Sequence, residues 1–273
     1  MFHKLRTGLF PLCTVIVVAT ITLLTLTNFF IARKHSLETP QNHVQQLTLS
    51  IEKTISEWLE AKRSRVTSLT SVATKQDIKP FLNAAKAAGK FDQVYIGYSD
   101  KRFIFSDPVP ALPSGYSPTK RPWYIKAAEE KAPIVTNPYT SASTGKRVVT
   151  FAEPVGESAV VAADVTFDAV AEVITAIKPT PNSFAMLVDE EGMIIVHSDK
   201  SFQMKPATAV DASLTQDALA LLGHAYSSIS VVTNGRKGML FAIPIKGSRW
   251  MLAVVLDDDE ATAGSSSIPK LHF

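Results

Sequence analysis

Residues Phe10 to Ala32 read FPLCTVIVVATITLLTLTNFFIA, an apolar run without a single charge. At about 1.5 Å rise per residue, a helix of this length crosses a hydrocarbon core of roughly 30 Å. The run outlasts the roughly 7–15 apolar residues of a signal-peptide core, and Thr25-Leu26-Thr27-Asn28-Phe29-Phe30 offers no small-residue cleavage site. An uncleaved transmembrane helix is therefore predicted over residues 10–32, with 1–9 as a short leader to it. Lys4 and Arg6 flank one end, Arg33 and Lys34 the other, so positive charge alone leaves the orientation open. The one cysteine, Cys13, lies inside the run and reads as a small apolar side chain. Residues 33–273 hold no thiol for a disulfide or a thiolate metal site.

Past the anchor, apolar residues recur at Val44, Leu47, Ile51, Ile55, Trp58, Leu59, Val66, Leu69 and Val72, mostly three or four apart. No Gly or Pro interrupts Gln41 to Lys79. Together these predict a long stalk helix over 36–75. Ile51, Ile55 and Trp58 are the stripe through which two parallel stalks are expected to pack, making a homodimer. With 273 residues, 46% of them hydrophobic, the chain can build one large or two small globular units. The net charge of +3 comes from 28 basic and 25 acidic residues scattered along the chain, with none of the dense basic stripes that nucleic acid requires.

From Asp92 the texture becomes β-like. DQVYIGYSD and KRFIFSDP can pair across Ser99-Asp100-Lys101, and the Pro- and Gly-rich stretch after them is irregular. WYIKAAEEK reads as a short helix with Pro122 in its first turn. Strands return in APIVTNPYTS, KRVVTFAEPV and AVVAADVTF, with a hairpin at Ala142 to Gly145 and a closing helix over 167–177. After KPTPNS a similar order recurs, with turn signals at Asp189-Glu190-Glu191-Gly192 and Asn234-Gly235. The repeat predicts an α+β fold of two modules with antiparallel sheets, at 76–180 and 181–260, ahead of a polar tail over 261–273.

The segment GYSPTKRPWYIKAA, residues 115–128, gathers Tyr116, Arg121, Trp123 and Tyr124. Guanidinium supplies the planar fork that grips a carboxylate, and a buried acid such as Asp164 suits an ammonium, so the two make a fitting pair for an α-amino acid zwitterion. Tyrosine hydroxyls and the Trp123 indole N–H add donors, and ring faces attract a cation. Asp164 interrupts the apolar strand VVAADVTF, where a lone carboxylate is costly, so a cationic partner is expected, with Arg147 as the purely structural alternative. Asp168 reads as a helix-start residue. The six histidines show no metal-binding spacing, His197 reads as a turn residue, and the acidic run Asp257 to Glu260 reads as solvated charge. No nucleophile elbow, phosphate-binding loop or catalytic carboxylate pair is present, which disfavours an enzyme.

Residues 10–260 resemble the double Cache sensor region of bacterial methyl-accepting chemotaxis receptors, two PAS-like (Cache) modules on a stalk. Tyr116, Arg121, Trp123, Tyr124, Tyr139 and Asp164 are similar to the motif by which many such sensors bind free amino acids. The resemblance implies that Arg121, Trp123 and Tyr124 hold the ligand carboxylate, while Tyr116, Tyr139 and Asp164 hold its ammonium. It further implies modules in the periplasm, a cytoplasmic N-terminus, an inner-membrane anchor, no cofactor, and a return span with an output module that this sequence does not include. A chemotaxis coiled coil, a histidine kinase and a cyclic-dinucleotide enzyme all remain open as that output, and an amine remains open as the ligand. Some relatives carry an acid two residues after the tyrosine matching Tyr139, where this chain has Ser141.

Overall fold

The computed structural model describes residues 20–28, 48–178, 180–225 and 227–263. The chain divides into two units, one of residues 1–46 and 261–273, the other of 47–260. In the first, residues 20–28 are helical, and the hydroxyls of Thr25 and Thr27 donate to the carbonyls of Ile21 and Leu23 at 2.7 Å. Such back-bonding lets a threonine sit in an apolar helix with its donor satisfied. No helix among the described residues is long and apolar enough to cross a membrane. The span predicted over 10–32 lies outside the described residues apart from 20–28, as do residues 1–9, 36–47 and 264–273.

The second unit begins with helix α1 over 48–70, the part of the predicted stalk that is described. It stops short of 75. Over its last turn Ser68, Thr70 and Ser71 turn their hydroxyls back onto the carbonyls of Arg65, Thr67 and Ser68, offering the backbone an alternative to the helical ladder. The stripe Ile55, Leu59, Val66, Leu69 is buried in the chain's own core, with Ile51 and Trp58 packed against it. Of the predicted dimer seam, Ile55 is buried in the chain's own core, while Ile51 and Trp58 are half-buried against it. Each fully buried aliphatic contributes at most about 1.5–3 kcal/mol, so the stripe alone accounts for why α1 docks.

Helix α2 (Lys79–Gly89), which the sequence pattern leaves unassigned, precedes strands β1 (Gln93–Tyr98) and β2 (Phe103–Phe105). Helix α3 (Pro122–Glu130) starts with proline where no N–H is needed. Short β3 (Ile134–Val135) and β4 (Tyr139–Thr140) then lead into β5 (Arg147–Val155), β6 (Ala159–Thr166) and helix α4 (Phe167–Thr175). The first sheet runs β2-β1-β6-β5-β3, with β4 also on β5, all antiparallel. The second module repeats the plan: β7 (Phe184–Val188), β8 (Ile194–Val196), α5 (Gln216–Ala225), β9 (Ser228–Thr233), β10 (Arg236–Pro244) and β11 (Met251–Asp257), in the order β8-β7-β11-β10-β9. Asn234 and Gly235 take φ of 51° and 76° at the β9–β10 turn, the left-handed pair that a tight hairpin demands.

Two details are added in this second module. The acidic run is structural as well as solvated: Asp257 is buried, caps helix α6 (Asp258–Ala263) by accepting from the N–H groups of Asp259 and Glu260, and pairs with Arg236 at 2.5 Å. His197 is buried between the rings of Phe184 and Phe202, and burial pushes its pKa down.

One apolar cluster runs through both modules, joining Val149 and Phe151 of β5 with Leu187, Ile195, Leu252 and Val254 and with the buried stripe of α1. Polar contacts reinforce it. Arg249 pairs with Glu130 at the end of α3 (2.8 Å) and with Glu190 (3.3 Å), and the Trp250 indole donates to Asn137 (3.1 Å), two residues before Tyr139.

Candidate functional site

The first sheet has two faces that obey the strand period of two. On β5 and β6, Val149, Phe151, Val161, Ala163 and Val165 face the core under α1, whereas Ala152, Val160 and Ala162 face a second cluster covered by α3. Asp164 shares this second face, since it lies two residues from Ala162, and it is 3% exposed. Directly opposite it in the β5–β6 register stands Thr150.

Asp164 is held by hydroxyls. Tyr95 donates to Oδ1 at 2.7 Å and Thr150 donates to the same oxygen at 2.6 Å. Because the Thr150 proton is committed there, Tyr139 donates to Thr150 Oγ1 at 2.7 Å. Thr136 Oγ1 in turn accepts the Thr150 N–H at 3.0 Å. Burial dominates all the same and pushes the Asp164 pKa up to about 6, the two hydrogen bonds pulling it partly back. Burial also raises the hydroxyl pKa of Tyr95 and Tyr139, and lifts Tyr116 to about 12, so all three stay neutral donors at any physiological pH.

The cation stands apart. Arg121 is the extended residue that caps α3, its Nη2 donates to the Thr140 carbonyl at 3.1 Å, and its guanidinium carbon lies 5.9 Å from the Tyr139 ring centroid. Among the described residues no carboxylate lies within ion-pair distance of Arg121 and no cation within that distance of Asp164. The expected cationic partner of Asp164 is thus replaced by hydroxyl donors. Arg147 is not that partner either: it stacks 4.4 Å over Phe167 and reaches Met204. Asp168 sits in the first turn of α4, as a helix-start residue should.

Arg121 and Asp164 both line one narrow cavity, walled by Tyr95, Phe105, Tyr116, Trp123 and Tyr139 and by the 141–143 turn. The sequence-predicted residues Tyr116, Arg121, Trp123, Tyr139 and Asp164 are therefore brought together. Tyr124 is buried against the Trp123 ring, centroids 5.5 Å apart, and lines no part of the cavity. A roomier space beside the second sheet is lined by Asp189, Glu190 and Trp250, but their polar groups are occupied. Asp189 accepts from two backbone N–H groups, Glu190 holds Arg249, and Trp250 bonds to Asn137. No group of side chains among the described residues could hold a metal ion.

The sequence profile of the Cache domain family matches residues 31–265. The chain belongs to the Cache domain family. Among named proteins it is similar to the methyl-accepting chemotaxis protein PscA of Pseudomonas syringae pv. tomato, 28% identical over 91% of this chain and 40% of that protein. It is similar too to PctB of Pseudomonas aeruginosa, 25% identical with the same shares covered. The chain thus spans about 40% of the length of these relatives. Among solved structures, the ligand-binding domain of the Pseudomonas fluorescens chemoreceptor CtaA in complex with L-isoleucine superposes with a TM-score of 0.73. It is 22% identical, covering 85% of this chain and 98% of that one. The ligand-binding domain of the amino acid chemoreceptor PctB with L-Gln gives 0.70 at 23% identity, covering 83% and 94%. Both share the Cache fold.

Tyr95, Phe105 and Thr150 belong to this Cache site, yet the motif does not name them. Tyr95 reaches it because Gly97, next on the same face of β1, leaves room for Trp123 to lie over the strand, 5.0 Å from the Tyr95 ring. A Cβ at Gly97 would stand 2.7 Å from the Trp123 ring and 2.6 Å from Pro118. Gly97→Ala is expected to destabilise the unit by about 1–3 kcal/mol through overpacking and to displace Trp123 from the cavity. Urea unfolding followed by Trp fluorescence checks it; an unchanged midpoint would mean that the indole does not rest on β1.

Proposed function

We propose that this chain is the sensory region of a membrane-anchored chemoreceptor and that it binds a free L-amino acid as its zwitterion. One observation carries the reading: a single cation and a single buried anion, not paired with each other, line the same aromatic-walled cavity. An α-amino acid bridges them. Its carboxylate takes the N–H groups of Arg121 that Thr140 leaves free, together with the Trp123 indole. Its ammonium takes the lone pairs of Asp164 left by Tyr95 and Thr150, an ionised carboxylate having room for about four donors. The ring of Tyr139 flanks both. The ligands named for the similar structures, L-isoleucine and L-Gln, are zwitterions of this kind.

In the same reading, residues 10–32 anchor the chain in the inner membrane and the Cache modules lie in the periplasm as a homodimer. A ligand shifts such a receptor only by its difference in affinity between two states, so tight binding is required but does not by itself signal.

Calorimetric titration of the purified chain with the common L-amino acids and their decarboxylated amines tests the proposal. Micromolar binding, about 8 kcal/mol, is expected for amino acids. Arg121→Ala should weaken it about 100-fold, the loss expected when a charged fork is removed and a buried partner is left unpaired. Amines that bind as tightly as amino acids, and equally well to Arg121→Ala, would move the reading to amine sensing.

A further inference from the structure

We infer that a second binding site, separate from the zwitterion cavity, lies where α1, the last turn of α3 and the β10–β11 turn meet, and that it takes a small, multiply charged oxyanion such as inorganic phosphate. The space is a cleft of about 200 Å³ whose wall includes Arg63 of α1, Lys126 and Glu130 of α3, and Gly247, Ser248 and Arg249 of the turn. On the same measure one water needs only about 10–15 Å³, so a five-atom oxyanion fits with water around it.

The charges on this wall do not cancel. Arg249 is satisfied, held by Glu130 at 2.8 Å and by Glu190 at 3.3 Å. Lys126 and Arg63 are not. Among the described residues no carboxylate stands within ion-pair distance of Lys126. Arg63 has only Glu60, at 4.0 Å, and the Glu60 side chain is 67% exposed, where water screens most of the attraction. Yet the Arg63 side chain is itself only 22% exposed, and its Nε is buried without an acceptor. A guanidinium withdrawn this far from water with no close counter-charge is costly, and an anion in the cleft supplies that charge. The carbonyl end of α3 opposes an anion with about half an elementary charge, which two full cations outweigh.

The arginine is also held in place. Its Nη2 donates to the Gly247 carbonyl, and a Cβ on residue 247 would stand 3.0 Å from that same nitrogen. Gly247 takes a φ of 81°, so the position needs glycine both for its backbone and for its bare surface. One Nη hydrogen is used in this way, and the rest of the planar fork remains for the two-oxygen grip that a phosphate accepts. Lys126 adds a point charge from α3. Ser248 adds nothing, because its hydroxyl already donates to the Ile245 carbonyl and accepts from the Trp250 N–H. Recognition here is therefore by charge, which favours a doubly charged oxyanion over chloride. None of these residues lines the zwitterion cavity, so this site stands or falls independently of the amino-acid reading.

Thermal melting of the full chain in detergent decides it, with sodium phosphate exchanged for sodium chloride at constant ionic strength and pH 7.5, where phosphate is mostly doubly charged. For an affinity of about 1 mM, phosphate at about 20 mM should raise the melting temperature by about 4–7 °C over chloride. Lys126→Gln and Arg63→Gln should each weaken phosphate about 10-fold and so cut that rise to about a third. The rise is the readout rather than the starting temperature, because Arg63→Gln also loses the bond to Gly247 and lowers the melting point by itself. Lys126→Gln removes no ion pair within the protein and guards against that confusion. A rise that chloride matches, no rise at all, or a rise that both variants keep in full would overturn the site.

Discussion

Asp164→Asn should abolish amino-acid binding, by about 100-fold or more, while making the empty protein more stable at pH 7. The two effects share one cause. Burial lifts the Asp164 pKa to about 6, so holding it ionised in the unliganded site costs about 3 kcal/mol relative to an ordinary carboxylate. The sign comes from proton counts. Between about pH 4 and 6 the folded state binds more protons than the unfolded one, so stability falls across that window and is level above it. Asparagine keeps an oxygen for Tyr95 and Thr150 but carries no charge, and part of that cost should reappear as a higher melting temperature. A ligand ammonium is what the carboxylate is otherwise prepared for. In the unaltered protein, affinity should be constant above pH 6 and weaken below it, by up to 10-fold per pH unit as binding must expel a proton. Asp164→Asn should show neither the affinity nor this pH slope. Melting curves paired with titrations at pH 5 and pH 7.5 make the check. Full binding by the asparagine variant would remove the carboxylate from the ligand's contacts.

Much of this site is legible in the sequence, and the part that is not has a physical reason. Arg121, Pro122 and Trp123 announce themselves locally: a proline that can only open a helix places the residues on either side at its mouth. Asp164 stands out as a carboxylate within an apolar strand. Its contacts do not, because Thr150 meets it only through the β5–β6 register and Tyr95 only across β1 and β6. Alternation names the face of a strand, and register names the neighbour. The stalk shows the same limit. A three-four repeat reveals that α1 has an apolar stripe, but the identical pattern suits a partner helix or the chain's own core, and that core is what buries Ile55, Leu59, Val66 and Leu69. Helix α2 escapes for another reason: it is amphipathic but short and alanine-rich, with only Phe81 and Leu82 as large apolar side chains, so few positions mark its buried face.

Phe151→Ala should be among the most destabilising single substitutions in the unit, at about 3–5 kcal/mol. Its side chain is 1% exposed and packs edge-on to Trp58 of α1, centroids 6.1 Å apart, and against Phe91 at 6.4 Å. Removing it opens a cavity between the helix and the sheet that stiff neighbours cannot fill. A fall in melting temperature of about 10 °C corresponds to that loss in a unit of this size. The position has a further meaning. Phe151 is the next residue after Thr150, so one strand presses on α1 with one side chain and holds the Asp164 network with the other. A change in the pitch of β5 that brings Thr150 nearer to the carboxylate must therefore also move the surface on which α1 rests. The alanine variant separates the two roles. Its ligand affinity, measured below its melting point, should stay within about 10-fold of the unaltered protein's, because the hydroxyl contacts to Asp164 are untouched. A stability loss under about 1 kcal/mol would mean that α1 does not lean on β5, and the link from ligand site to stalk would have to be sought along Arg249 and Asn137 instead.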